Sequence, residues 1–205
     1  MKILVGQPKL EKDVIQLEEA LRQHPEAEFV FFPEGYLNEN VEKAKELARS
    51  HQVTLITGYR KFHKNPKDQV IIIGNDGQIL LDRPKYTAKQ TVQVKGYHLG
   101  VILCDELVLQ GMDGVRSEDI DILFHPIGVG MFSHEQYDEW VHLACQIAKE
   151  LQCVVVGTSH ADGSYKDNPV SIPITYLINA SGEVIKATQN EIRNELITVM
   201  MNKNI

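Results

Sequence analysis

Short apolar runs alternate with helical stripes along this chain, and the alternation occurs twice in the same order. The first copy opens on Phe29-Val30-Phe31-Phe32-Pro33-Glu34-Gly35 and continues through a helical segment containing Ala44-Lys45-Glu46-Leu47. A strand ending at Gly58, the run Ile71-Ile72-Ile73 and the turn Asn75-Asp76-Gly77-Gln78 complete it. The second copy opens on Ile122-Leu123-Phe124-His125-Pro126-Ile127-Gly128. Ala148-Lys149-Glu150-Leu151, a strand ending at Gly157, Tyr176-Leu177-Ile178 and the turn Asn179-Ala180-Ser181-Gly182-Glu183 then follow. Asn and Gly supply the turn chemistry of a hairpin in both copies. α/β units resemble one another in general, so the echo has a plain reading. It also has a pointed one: two related halves packed as a pseudo-symmetric sandwich. On that reading Ile127 stands where Glu34 does, and the carboxylate of the first copy is not demanded by packing.

The periodicity predicts strands over Lys2–Gly6, Glu28–Phe32, Val53–Thr57, Gln69–Ile73, His98–Leu103, Asp121–Phe124, Cys153–Gly157 and Pro173–Ile178. Val14, Leu17 and Leu21 form a helical stripe, with Asp13 placed to cap it. Val41, Ala44, Leu47 and Ala48 form a second, and Trp140, Leu143, Ile147 and Leu151 a third, opened by a Ser133/Gln136 capping-box pair. Strands alternating with helices indicate an α/β architecture. No Gly/Ser linker or charge block interrupts the 205 residues, so one domain over 1–205 is expected.

Charge and cysteine usage narrow the function classes. Asp and Glu outnumber Lys and Arg by 28 to 21, a net charge of -7, which disfavours sequence-independent nucleic-acid binding. The apolar run at the N-terminus stops at Gly6, too short for a signal-peptide core, and no stretch approaches the roughly 20 apolar residues of a membrane span. The expected setting is the cytoplasm, with no membrane or nucleic-acid partner. Cys104, Cys145 and Cys153 lack CxxC spacing, which argues against a disulfide framework or a zinc knuckle.

Three residues could carry chemistry. Glu34 closes a run with five consecutive apolar residues, at the strand end where open α/β sheets place their sites; on local evidence it also reads as a solvated loop carboxylate. Lys85, in Arg83-Pro84-Lys85-Tyr86 after a hairpin strand, is locally indistinguishable from a surface lysine. Cys104 follows Gly100-Val101-Ile102-Leu103 and precedes Asp105-Glu106, which read as the acidic first turn of a helix. A thiol there is expected to feel the helix dipole and have its pKa lowered, although a free Cys is also a common core filler. Cys145 and Cys153 read as packing.

Taken in order, Phe32-Pro33-Glu34, Arg83-Pro84-Lys85-Tyr86 and Leu103-Cys104-Asp105 resemble the motifs of the nitrilase superfamily of carbon–nitrogen hydrolases. Gly6-Gln7, Ala44 to Gly58, the helix with Trp140, Ala148 and Glu150, and Gly182-Glu183-Val184 extend the resemblance over nearly the whole chain. The resemblance implies a four-layer αββα sandwich with pseudo-twofold halves, and hydrolysis of an amide ahead of a nitrile. Cys104 would be the nucleophile, Glu34 the general base, and Lys85 with the backbone N–H of Asp105 the oxyanion donors, with no cofactor or metal. It also implies a homodimer or higher homo-oligomer, with Trp140 or Leu151 as candidate interface residues.

The chain departs from the family pattern in three places. Between Tyr86 and Leu103 it has no Asp or Glu, where many members carry a second glutamate. Ile147 and Leu151 stand for the usual Arg and Asn, and Gly157-Thr158-Ser159 for a strand ending in asparagine. Three rival readings stay open. One is a weak or silent relative that binds a small molecule or protein. Another pairs the Cys with His125 or His160 as base; His125, which follows a strand, could also face the pocket and bind substrate. The last is metal binding through His134 and His142, which lack HxxxH spacing.

Overall fold

The computed structural model describes residues 1–164 and 169–200. The first half runs β1 (Lys2–Val5), α1 (Ile15–Gln23), β2 (Phe29–Phe31), α2 (Val41–His51), β3 (Thr54–Arg60), β4 (Asp68–Ile73) and β5 (Ile79–Pro84). The second runs β6 (Thr91–Val94), β7 (Tyr97–Val101), α3 (Glu106–Leu109), β8 (Ile122–Ile127), α4 (His134–Leu151), β9 (Val154–Ser159), β10 (Ile174–Ile178) and β11 (Val184–Gln189). The last strand, β12 (Glu195–Thr198), returns to pair with β1.

Two six-stranded mixed sheets result, ordered β12-β1-β2-β3-β4-β5 and β6-β7-β8-β9-β10-β11. In each, three central strands are parallel and the outer ones antiparallel. Phe29, Phe31, Ile56 and Val70 of one sheet interdigitate with Leu99, Val101, Ile122 and Phe124 of the other. The outer faces are covered by α1 and α2 on the first sheet and by α4 on the second. The layers are therefore αββα, as the sequence predicts.

The half-chain echo is a register, not a loose likeness. Phe31 pairs with Ile56 as Phe124 pairs with Val156. A β-bulge falls between Ile72 and Ile73 and again between Leu177 and Ile178. α2 and α4 both end on a left-handed glutamine, Gln52 at φ 55° and Gln152 at φ 51°. Even the hairpin glycines agree. A Cβ on Gly77 would lie 2.9 Å from the Lys45 carbonyl, and one on Gly182 would lie 2.8 Å from that of Cys145. The same register aligns Glu34 with Ile127. It aligns Lys85, bonded to the Asp68 carbonyl, with Asn190, bonded to that of Pro173. Gly6 and Ile102 donate to the equivalent Phe31 and Phe124 carbonyls, which aligns Cys104 with Pro8.

Local expectations need two adjustments. Asp13 does not cap α1: the helix starts at Ile15 after Val14, without a side-chain cap from that residue. The Tyr36 hydroxyl accepts the Leu17 N–H instead, at 2.9 Å. Glu11 Oε1 accepts the Gln16 N–H at 3.0 Å, so a different local carboxylate and a tertiary hydroxyl share the role expected of Asp13. The α4 cap forms as expected, with Ser133 Oγ accepting the Gln136 N–H (3.2 Å), but Gln136 reaches back to the N–H of Phe132 (2.7 Å) rather than Ser133. No helix among the described residues is long and apolar enough to cross a membrane.

Candidate functional site

The C-terminal ends of β2 and β7, with the residue following β5, converge on one cavity of about 570 Å³. Glu34 leaves β2 through Phe32 and Pro33. The Phe32 N–H donates to Ile56 (3.0 Å), and Thr57 Oγ1 donates to the Pro33 carbonyl (2.8 Å), so β3 fixes the backbone that carries the carboxylate. Lys85 follows β5, its N–H bonded to the Asp68 carbonyl at 3.0 Å. Cys104 is reached three residues past β7 and has φ +42°, the left-handed region that side chains rarely occupy. Its N–H donates to Pro126 at 2.9 Å.

Glu34, Lys85, Cys104 and Asp105 all line the cavity. Lys85 Nζ lies 2.8 Å from Glu34 Oε1 and 2.7 Å from Asp105 Oδ1. Burial pushes the Glu34 carboxyl up to about 7 against the pull of Lys85, and Asp68 and Asp105 push the same way. Burial alone would lower the Lys85 ammonium, but the charges of Glu34 and Cys104 and the bonds to Asp105 and Glu34 hold it well above its usual value. The thiol is the correction. Burial, then the Glu34 charge, drive Cys104 well above the ordinary thiol range, despite Lys85 and a backbone hydrogen bond from Gly128. The expected helix dipole is weak because α3 has only four residues. Cys104 is therefore a neutral thiol beside a carboxylate that exchanges protons near neutrality.

The cavity has two unlike walls. Arg60, Lys67 and Asp68 give it a charged side, and Ile127, Val129, Met131, Phe132 and Trp140 an apolar one. Gly128 leaves room for the acid: a Cβ there would lie 2.9 Å from Glu34 Oε2.

His125, expected to face the pocket, is fully buried and does not line the cavity. Its Nε2 lies 2.8 Å from the Cys104 carbonyl and its Nδ1 bonds the Tyr176 hydroxyl. Burial drives its pKa down to about 4, so the ring is neutral and holds the Cys104 backbone. His160 is also buried and lowered to about 4, with Nδ1 2.5 Å from the Gly128 carbonyl. His134 bonds Gln189 and His142 bonds Gln146, away from the cavity. Trp140 and Leu151 are both buried against the second sheet of their own chain, and Trp140 stacks on His125.

A buried pair escaped the sequence reading. Arg83 Nη1 and Nη2 each lie 2.8 Å from a Glu106 oxygen, both residues nearly inaccessible. Glu106 also accepts the N–H groups of Leu103 (2.7 Å) and Tyr86 (2.6 Å). Burial would raise its carboxyl, but the Arg83 bonds and charge and these two N–H groups hold it below the usual range. Asp105-Glu106 looked like a helical first turn, and nothing local distinguishes that from a carboxylate folded back into the core.

No protein-family model matches this sequence, and no curated protein matches it either. Solved structures do. An amidase from Neterenkonia sp. AN1 superposes with a TM-score of 0.80 at 12% identity, covering 98% of this chain and 93% of that one. A carbon–nitrogen hydrolase from Helicobacter pylori G27 gives 0.77 at 16%, covering 96% and 87%. A variant of the Nesterenkonia AN1 amidase from the nitrilase superfamily gives 0.76 at 12%, covering 96% and 89%. With its αββα layers and its two matching six-stranded sheets, this chain has the fold of the nitrilase-superfamily amidases.

Proposed function

We propose that this chain hydrolyses a non-peptide carbon–nitrogen bond, an amide ahead of a nitrile, with Cys104 as nucleophile and Glu34 as base. The observation that carries the reading is the meeting, in one cavity, of three groups drawn from three strand ends, each replaced in the matching half-chain register by a residue of different chemistry, Ile127, Asn190 and Pro8. A variant of the Nesterenkonia amidase that carries the acetamide moiety of fluoroacetamide on its active-site cysteine supports it by fold likeness.

Each group has a task its environment suits. A neutral thiol cannot wait as a thiolate, so attack is coupled to proton removal. The Cys104 S–H proton passes to the Glu34 carboxylate as sulfur bonds to the carbonyl carbon and the π pair moves onto oxygen. The Lys85 ammonium and the Asp105 N–H stabilise that oxygen. Glu34 returns the proton to the amide nitrogen, the C–N bond breaks and the amine leaves. Glu34 then deprotonates a water that attacks the thioester, and the acid departs as the Cys104 thiol reforms. A carboxyl near 7 is matched to giving and taking a proton at neutral pH.

The test is to expose wild type and the Glu34→Gln and Lys85→Ala proteins to short aliphatic amides and weigh the Cys104 peptide. An acyl adduct on Cys104 of wild type quenched during turnover, with adduct formation and turnover both reduced by roughly 10²- to 10⁴-fold in Glu34→Gln, which lacks the base for attack, is the expected result. Unmodified Cys104 across the amide series, in wild type and variants alike, favours a silent binding protein on the same fold.

A further inference from the structure

The Lys85 ammonium serves more anions than oxyanion stabilisation requires. Glu34 approaches it from the first sheet and Asp105 from the turn after β7, at 2.8 and 2.7 Å. Asp105 is not an incidental neighbour. Its second oxygen accepts the Tyr86 hydroxyl at 2.8 Å, and the Lys85 Nζ sits 5.1 Å from the Tyr86 ring centroid. Its side chain stays 40% exposed on the cavity wall, and among the described residues Lys85 is the one cation paired with it.

We propose that the Asp105 carboxylate is a positioning residue that shares the Lys85 ammonium with Glu34, so that Glu34 is not locked in an exclusive ion pair and stays free to act as the base. This rests on Glu34 being the base. The physical reason is one of charge division. A buried carboxylate paired alone with one ammonium at hydrogen-bond distance is held ionised and loses basicity. A second carboxylate at equal distance diverts that charge and adds its own repulsion.

The other charged and titratable groups around Glu34 do not do the same work. Asp68, at the start of β4, pushes Glu34 up more strongly than Asp105 does, but its cation is Arg60 at the end of β3, at 3.2 Å, and not Lys85. Cys104 is neutral, as are the buried His125 and His160. Asp105 is the anion of the set that pairs with Lys85 itself and so competes with Glu34 for that ammonium.

The pH dependence of Cys104 alkylation by iodoacetamide, read by mass spectrometry on the full chain, separates the two layers of this claim. Wild type is expected to show an acid limb near pH 7 that Glu34→Gln abolishes. Asp105→Asn keeps the backbone N–H and the shape of the side chain. It is expected to move that limb to lower pH by up to about one unit, the direction in which losing a neighbouring negative charge acts, and Asp105→Ala is expected to move it the same way. A limb abolished by Glu34→Gln but unmoved in both Asp105 variants overturns the sharing while leaving the base assignment intact. A limb that survives Glu34→Gln overturns both. Circular dichroism of each variant shows that the comparison is between folded proteins.

Discussion

Cys104 stands on a backbone that a side chain rarely adopts, and its neighbours hold it there. The Pro126 carbonyl takes its N–H, and the buried His125 ring, backed by Tyr176, holds its carbonyl. A non-glycine residue in such a conformation costs on the order of 1–3 kcal/mol and persists only where the surroundings over-determine it. The neutrality of His125 and His160 carries a pH consequence. Both rings titrate near 4 in the folded chain against 6.5 unfolded, so the unfolded chain binds their protons first as pH falls. Stability is then lost between 6.5 and 4, by about 3 kcal/mol for each ring. Glu34 acts the other way: its folded pKa near 7 lies above the usual 4.5, so the folded chain binds that proton first and stability rises as pH falls from 7 to 4.5. The net expectation is a loss on acidification that Glu34→Gln makes steeper. Urea midpoints at pH 7 and 4.5 for the two proteins check it; equal losses would refute the Glu34 contribution. His125 was legible as a residue at a strand end near the site, but its direction was not, because a strand end does not say which face its side chain enters.

At the scale of elements, the Arg83–Glu106 pair is the joint of the site. Arg83 lies in β5, one residue removed from Lys85 by Pro84, and Glu106 opens α3 two residues after Cys104. Their bidentate contact ties the lysine's strand to the nucleophile's turn. Arg83→Leu leaves a buried carboxylate without its guanidinium and is expected to cost about 3–5 kcal/mol. Lys89, 3.5 Å from Glu106 Oε1, is then the cation that remains beside it. Arg83→Leu with Glu106→Gln removes the under-paired charge while keeping an acceptor for the Leu103 and Tyr86 N–H groups, and Lys89 keeps its bond to Gln110 at 2.7 Å. The double variant is expected to recover most of that stability but not the rate of Cys104 alkylation, because the joint is gone. Denaturation curves and labelling rates on the two proteins test this; a double variant that labels like wild type sinks it. The eight strands read from apolar runs all form, with ends displaced by a few residues. β6 and β12 had no such signal. Thr91-Val92-Gln93-Val94 and Glu195-Leu196-Ile197-Thr198 are short, half-buried edge strands, and what makes them strands is pairing with β7 and β1.

For the molecule as a whole, the two halves are held face to face by their central strands. Phe31 and Phe124, equivalent in the register, meet with ring centroids 5.0 Å apart and are fully buried. Phe124→Ala is expected to cost about 3–5 kcal/mol. Because the same layer joins both sheets, tryptophan fluorescence from Trp140 in the second half and overall circular dichroism should shift together; separate transitions would mean the halves unfold independently. The α/β class and the paired halves were readable from sequence because burial on both faces of a sheet writes continuous Val/Ile/Phe runs, and repeating them in one order repeats the fold unit; the four αββα layers were what the family resemblance implied. The matching turns, bulges and left-handed glutamines follow from the same local chemistry. The order Glu34, Lys85, Cys104 was readable too, but only through the resemblance of its three motifs taken together; locally Lys85 read as a surface lysine and Cys104 as a possible core filler. Their protonation was not readable. Whether a carboxyl sits near 7, a thiol stays neutral or an ammonium is shared between Glu34 and Asp105 depends on burial and on distances of 2.7–2.8 Å between residues far apart in the chain. Local sequence determines strands, turns and candidate groups through short-range sterics and hydrophobic period. Electrostatics in a closed cavity is set by which groups the fold brings within hydrogen-bond distance and out of water, and only the tertiary structure decides that.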